Sequence, residues 1–95
     1  MACVFFQEVL HIMSKKVAVV MGSDSDLDTM RPCVKRLKSF GIEAEVRIIS
    51  AHRTPAAAED LAAHAAENGF GVIIAAAGKA AHLAGVLAAY TTLPV

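Results

Sequence analysis

Segments with the hydrophobic pattern of a β-strand take turns along the chain with segments that have the pattern of a helix. Residues 17–21 are apolar at every position, which is typical of a strand that is covered on both faces of a parallel sheet. Residues 71–77 have the same pattern and predict another buried strand. Between them, 42–48 alternates apolar and charged residues, which predicts a strand at the sheet edge with one solvated face.

Each predicted strand is followed by a segment whose apolar residues have helical spacing. The first helix covers about 27–40, and we expect a kink or an irregular first turn because Pro32 removes one helical hydrogen bond. The second helix begins at Pro55, after a typical N-cap threonine, and is predicted to run to about residue 68. Apolar spacing over 83–90 predicts the third helix.

The alternation of strands and helices predicts the α/β class, with right-handed βαβ units and a parallel sheet. Because the first and third strands read as buried and the second as an edge, we expect the order 2-1-3 of a three-layer flavodoxin-like sheet. Residues 91–95 look like the start of a fourth strand. We expect 14–95 to be the N-terminal portion of a single domain and 1–13 to be an extension outside the fold.

Composition narrows the function classes. The 95 residues are 56% hydrophobic and 19% charged, with a formal net charge of zero, and no Lys/Arg cluster points to nucleic acid or to anionic lipid. No segment has the apolar run of an export signal or a membrane span. The two cysteines have neither metal-type nor disulfide-framework spacing, so a reducing cytoplasm is expected. The histidines show no metal-ligand spacing such as HxxxH, so no metal is expected.

Three polar loops follow the three predicted strands, at 22–26, 50–54 and 78–82, and we refer to them as the first, second and third loops. In sheets of this order, ligands bind at the carboxyl ends of the strands, where the strand order reverses. The first loop contains helix N-cap residues after a glycine, and it can present backbone N–H groups to an anion, above all phosphate.

The loop side chains have both functional and purely structural interpretations. His52 can exchange a proton near neutral pH and Arg53 can hold a phosphate or carboxylate, yet both are also ordinary surface-loop residues. Asp26 either complements the helix dipole or accepts hydrogen bonds from sugar hydroxyls. Lys79 is either a solvated lysine or a cation over an anionic substrate. Three further residues are either structural or pocket residues: Ser23, Ser25 and His82.

The three loops together resemble those of the N5-carboxyaminoimidazole ribonucleotide mutase family of purine biosynthesis. The motifs are Met-Gly-Ser-Asp-Ser-Asp at 21–26, Ser-Ala-His-Arg-Thr-Pro at 50–55 and Ala-Gly-Lys-Ala-Ala-His-Leu at 77–83. The resemblance covers 16–95 and is closer to the bacterial mutase branch. It implies an isomerase that moves the substrate carboxylate from the exocyclic nitrogen to the ring carbon, giving 4-carboxy-5-aminoimidazole ribonucleotide. It also implies a ribonucleotide substrate, no cofactor, a homo-octamer and no nucleic-acid or membrane partner.

The resemblance assigns roles residue by residue. His52 matches the general acid–base that moves the proton at the ring carbon, Ser23 and Arg53 match phosphate ligands, and Asp26 matches the ribose ligand. The third loop matches the wall around the carboxylate. The implied substrate-binding residues are Gly22, Ser23, Ser25, Asp26, Ser50, Ala51, Arg53, Ala77, Gly78, Lys79, His82 and Leu83.

The chain departs from the family pattern at three positions. Ala76 and Lys79 stand where glycine is common, and Ala84 stands where proline is common. Family members continue through further strands to a C-terminal helix, so we expect this chain to be C-terminally truncated relative to them. The alternatives are an inactive fragment of the mutase and a non-enzymatic flavodoxin-like nucleotide- or phosphate-binding module. A receiver module would need an aspartate at 75–77, where the chain has three alanines.

Overall fold

A three-stranded parallel sheet forms the centre of the computed structural model, which describes residues 15–78 and 82–95. Its strands are β1 (Lys16–Met21), β2 (Ala44–Ile48) and β3 (Phe70–Ala76), in the order β2-β1-β3. Each residue of β1 from position 17 onward is buried, since this strand is paired on both sides and covered on both faces. The predicted α/β class and the predicted strand order are confirmed.

Three helices cover the sheet, and a short 3-10 turn over Asp24–Asp26 precedes the first of them. They are α1 (Leu27–Ser39), α2 (Pro55–His64) and α3 (Leu83–Ala89). On one face, α1 packs against Val17, Val19 and Met21; on the other, the residues of α2 and α3 form one buried cluster with Ala18 and Val20. No helix in the described residues is long and apolar enough to cross a bilayer.

The helix α1 includes Pro32 and is preceded by an irregular 3-10 turn at Asp24–Asp26. One helix boundary needs correction. The helix α2 ends at His64 rather than near residue 68. There the backbone N–H of Ala65 bonds to the carbonyl of Ala62, three residues back, and a series of turns then leads the chain into β3. These turns end at Gly69, whose φ of 88° is readily adopted only by glycine.

The edge strand β2 is more exposed than its alternating pattern predicted. Val46 and Ile48 share the face that α1 covers, yet they are 37% and 51% exposed. The reason is that a single helix lies over three strands, so it buries the central strand fully and the edge only in part. Both faces of β2 are therefore partly solvated.

The C-terminal segment lies along the far side of β3. The backbone N–H of Ile73 donates to the carbonyl of Pro94 at 3.0 Å, in agreement with the predicted start of a fourth strand over 91–95. Residues 91–95 are nevertheless not in strand conformation. The proposed extension over 1–13 lies outside the described residues.

Candidate active site

A cavity of about 320 Å³ lies at the carboxyl ends of the three strands. Its volume is at the lower end of the range for small-molecule sites, about 300–1,000 Å³. All three loops contribute to its lining, which consists of Gly22, Ser23, Ser25, Asp26, Ser50, Ala51, His52, Ala77, Gly78 and Leu83. Every one of these residues belongs to the set expected from the sequence.

The first loop is held by hydrogen bonds around Ser23. Its hydroxyl oxygen accepts from the backbone N–H of Ser25 at 3.3 Å and from the Ser25 hydroxyl at 3.0 Å, so the two hydroxyls lie side by side. Ser23 thereby caps the 3-10 turn rather than α1. Asp26 is the N-cap residue of α1 but makes no side-chain capping hydrogen bond there. Its carboxylate therefore remains at the cavity wall as an acceptor.

The second loop is closed by its two hydroxyl residues. The Thr54 hydroxyl accepts from the Ser50 N–H and donates to the Ser50 carbonyl, both at 3.0 Å. The Ser50 hydroxyl in turn accepts from the backbone N–H groups of His52 at 3.3 Å and Arg53 at 3.1 Å. The prediction that the Thr54 side chain caps α2 is wrong. Thr54 is the N-cap residue, but its hydroxyl bonds to Ser50 instead of to the helix.

Two side-chain contacts join the second loop to its neighbours. Nε2 of His52 lies 2.9 Å from Nδ1 of His82, at the N-cap of α3, with the rings 70° apart. One of these nitrogens donates and the other accepts, so the contact orients both rings. The Arg53 guanidinium donates to the carbonyl of Gly22 at 3.1 Å. His52 thus contacts the start of α3, and Arg53 contacts the first loop.

The remaining expected residues divide into two groups. Arg53 and His82 do not line the cavity but contact residues at its rim. Lys79 lies outside the described residues, so its position in the third loop remains a prediction. Among the residues that the structure describes, no three His, Cys, Asp or Glu side chains converge as they would around a metal ion.

His64 lies outside the cavity. It lies at the end of α2, where its Nδ1 is 3.0 Å from the main-chain carbonyl of Asp60 and 3.2 Å from the carboxylate of the same residue. The hydrogen bond to that carbonyl, followed by the attraction of the carboxylate, raises the pKa of His64 above its ordinary value. Its protonation therefore concerns the helix end rather than the cavity.

Sequence reasoning treated Thr54 only as a helix cap and missed its hydrogen bonds to Ser50. The available signal was the presence of Ser50 and Thr54 four residues apart in a strand-to-helix loop, since serine and threonine hydroxyls commonly bond to nearby backbone groups. The contact between His52 and His82 had no comparable signal, because thirty residues separate them.

Known proteins match this chain over most of its length. The sequence profile of the family described as AIR carboxylase matches residues 16–95. Among curated relatives, the N5-carboxyaminoimidazole ribonucleotide mutase of Pyrococcus horikoshii is 51% identical over 89 residues, which is 92% of this chain and 50% of the relative. The proteins of the same name from Saccharolobus solfataricus and Mycobacterium tuberculosis are 54% and 56% identical over 80 residues, or 84% of this chain.

Those 80 residues are 51% of the Saccharolobus protein and 46% of the Mycobacterium protein, so the chain spans about half the length of the curated relatives it matches. The family match includes all three strands, all three helices and every described loop of the cavity. The chain therefore belongs to the AIR carboxylase family.

Proposed function

We propose that the protein containing this chain is an isomerase that converts N5-carboxyaminoimidazole ribonucleotide into 4-carboxy-5-aminoimidazole ribonucleotide. The observation that carries the proposal is the convergence of three strand-end loops on one cavity, with an imidazole, a guanidinium and paired hydroxyls around it. The names of the relatives and the family match support the same reaction.

We assign the phosphate, the ribose and the base of the substrate to different loops of the cavity. Ser23 and Ser25 offer neighbouring hydroxyls for the phosphate, and Arg53 lies close enough to the first loop to add a charged donor. The Asp26 carboxylate is suited to accept hydrogen bonds from the ribose. The base then extends toward His52 and the third loop, where Ala77 and Gly78 form an apolar wall beside the migrating carboxylate.

The chemistry assigned to His52 is proton transfer at the ring carbon. In the reaction, the bond between the exocyclic nitrogen and the carboxyl carbon breaks, and carbon dioxide is held in the pocket until the ring carbon attacks it. The new carbon–carbon bond then replaces the bond to hydrogen, and the nitrogen gains the proton that the ring carbon loses. An imidazole suits this task because it accepts and donates protons near neutral pH. The contact with His82 holds the His52 ring at the cavity edge while it does so.

We further propose that the protein acts in the cytoplasm as a homo-octamer, without metal or organic cofactor. This part follows from the resemblance of the three loop motifs to the mutase branch. Sedimentation of the complete gene product that contains this chain tests the assembly: a single species with eight chains is expected, and a monomer would contradict it.

Turnover with two substrates tests the reaction. The complete gene product is given either the carboxylated ribonucleotide, labelled with ¹³C in its carboxylate, or the uncarboxylated ribonucleotide with unlabelled bicarbonate. We expect rapid conversion of the first with the label retained in the product, because in the proposed reaction the carbon dioxide stays in the pocket until the ring carbon attacks it. Conversion of only the second substrate would show direct carboxylation, and conversion of neither would refute the proposal.

A further inference from the structure

The second loop is attached to the core through Ile49 and Ala51, but its two functional side chains are not buried. His52, Arg53 and Thr54 are all exposed, and the loop extends from β2, the most exposed strand of the sheet. Burial of Ile49 and Ala51 fixes the start of the loop, but it does not fix the directions of the exposed His52 and Arg53 side chains. Their main-chain N–H groups both donate to one acceptor, the hydroxyl of Ser50.

Ser50 is itself held by Thr54. Both backbone polar groups of Ser50 bond to Thr54: its N–H donates to the Thr54 hydroxyl, and its carbonyl accepts from the Thr54 hydroxyl and from the Thr54 N–H at 2.9 Å. The carbonyl of Thr54 also accepts from the N–H of Ala58, which anchors it to α2. A continuous hydrogen-bonded path thus runs from α2 through Thr54 and Ser50 to the backbone of His52 and Arg53.

We propose that Thr54 is a positioning residue for the reaction, acting through Ser50 to set the directions of the His52 imidazole and the Arg53 guanidinium. The inference rests on the proposed function for its kinetic consequences, but its structural consequence at His52 is independent of the reaction. Thr54 does not line the cavity, so its effect is transmitted through the loop.

The size of the effect follows from the contact distances. In Thr54→Val a methyl group replaces a hydroxyl that lies 3.0 Å from both the nitrogen and the oxygen of Ser50. Non-bonded carbon contacts need about 3.5–4.0 Å, so the loop must open by roughly half an ångström or more. A displacement of about 1 Å can cost roughly 100-fold in rate, so we expect about a tenfold loss in kcat/KM.

The matched variants are Thr54→Val, Thr54→Ser and Thr92→Val, each made in the complete gene product. Thr54→Ser keeps the hydroxyl and is expected to retain kcat/KM within about threefold, while Thr92→Val removes an exposed hydroxyl beyond the end of α3, away from the cavity. Thr54→Val is expected to lower kcat and raise KM together, because it displaces both His52 and Arg53. A merely structural role would lower the active fraction without changing KM.

Histidine ¹⁵N spectra of the free protein provide the second readout. The ring resonances of His52 are assigned by their absence in His52→Asn. They should shift in Thr54→Val, because the contact with His82 is lost, and they should not shift in Thr54→Ser or Thr92→Val. Unchanged His52 resonances in folded Thr54→Val would overturn the proposal, and so would an equal loss in Thr54→Ser. If the wild-type protein has no turnover, the proposed function fails while this spectrum still decides the role of Thr54.

A variant at Ser50 decides the case in which Thr54→Val does not fold. Ser50→Ala removes the acceptor shared by the backbone N–H groups of His52 and Arg53 but keeps the main-chain bonds to Thr54. The same shift of the His52 resonances is expected in the free protein. Resonances that stay in place would overturn the inference.

Discussion

The substitution His52→Asn separates catalysis from stability at this site. The His52 side chain is exposed, and the one hydrogen bond that it makes to a described side chain is the 2.9 Å contact with His82. Loss of a single exposed hydrogen bond costs about 1 kcal/mol or less in the free energy of unfolding. Asparagine keeps a polar side chain but does not exchange protons near neutral pH. Loss of a general acid–base lowers turnover by about 10²–10⁴-fold, so the effect on kcat should be far larger than the effect on folding.

The assay for this prediction measures three quantities on the complete gene product. These are kcat for carboxylate migration, the Kd of the uncarboxylated ribonucleotide by calorimetry, and the midpoint of thermal unfolding. We expect Kd to remain within about threefold, because Arg53 and the serines of the first loop do not depend on the imidazole.

A matched control is His64→Asn, which removes another exposed imidazole with a single local partner residue, Asp60, outside the cavity. It should leave kcat unchanged. The reasoning is refuted if His52→Asn retains kcat within about threefold of wild type, or if His64→Asn loses as much.

Three further predictions concern stability. Phe70→Ala empties a site that is 1% exposed and should lower the free energy of unfolding by about 3–5 kcal/mol in urea titrations. Gly41→Ala should cost about 1–2 kcal/mol because Gly41 has φ of 74°; a clash is not the cause, since among the described residues no atom beyond its two chain neighbours lies within 4 Å of the added methyl group. Gly85→Ala inside α3 should be neutral or stabilising by up to about 1 kcal/mol. Because the pKa of His64 is raised in the folded protein, protonated His64 stabilises the fold. This stabilisation is fully present below pH 6.5, the ordinary pKa of histidine, and is lost as the pH rises through the pKa of the folded state. Unfolding of wild type and His64→Asn should therefore differ more at about pH 5.5 than at about pH 8, and equal differences would contradict the assignment.

Burial of β1 on both faces is the reason that its central position was predictable from sequence. The expected burial of the third strand was wrong, because β3 is the other edge of the described sheet and Val72 is 37% exposed. A strand that is covered on both faces needs apolar side chains at every position, as in 17–21, whereas the alternation at 42–48 marks an edge. The end of α2 was not predictable, because residues 65–68 are compatible with helix and the turn there serves to bring Phe70 into the core. Tertiary packing decides that boundary rather than local preference.

The sequence predicted which residues line the cavity but not which contacts they make with one another. The carboxyl ends of parallel strands meet at one edge, so the loop residues were expected to converge. Nothing local indicates that His52 touches His82 or that Arg53 bonds to the Gly22 carbonyl, because these contacts depend on how far apart the strands hold the loops. The reciprocal bonds between Ser50 and Thr54 required only local spacing and were overlooked in favour of a helix cap.

The sheet and the site are stabilised by different forces, and this has a consequence for how substitutions act. The strand β1 is fixed by apolar burial, with Ala18, Val19 and Val20 fully inaccessible. The second loop extends from the exposed edge strand and is held by hydrogen bonds to the first loop, to the start of α3 and within itself. An exposed hydrogen bond contributes little to the free energy of unfolding, yet it sets the direction of a reacting side chain. Substitutions in the second loop should therefore change turnover more than stability, and substitutions in β1 should do the reverse.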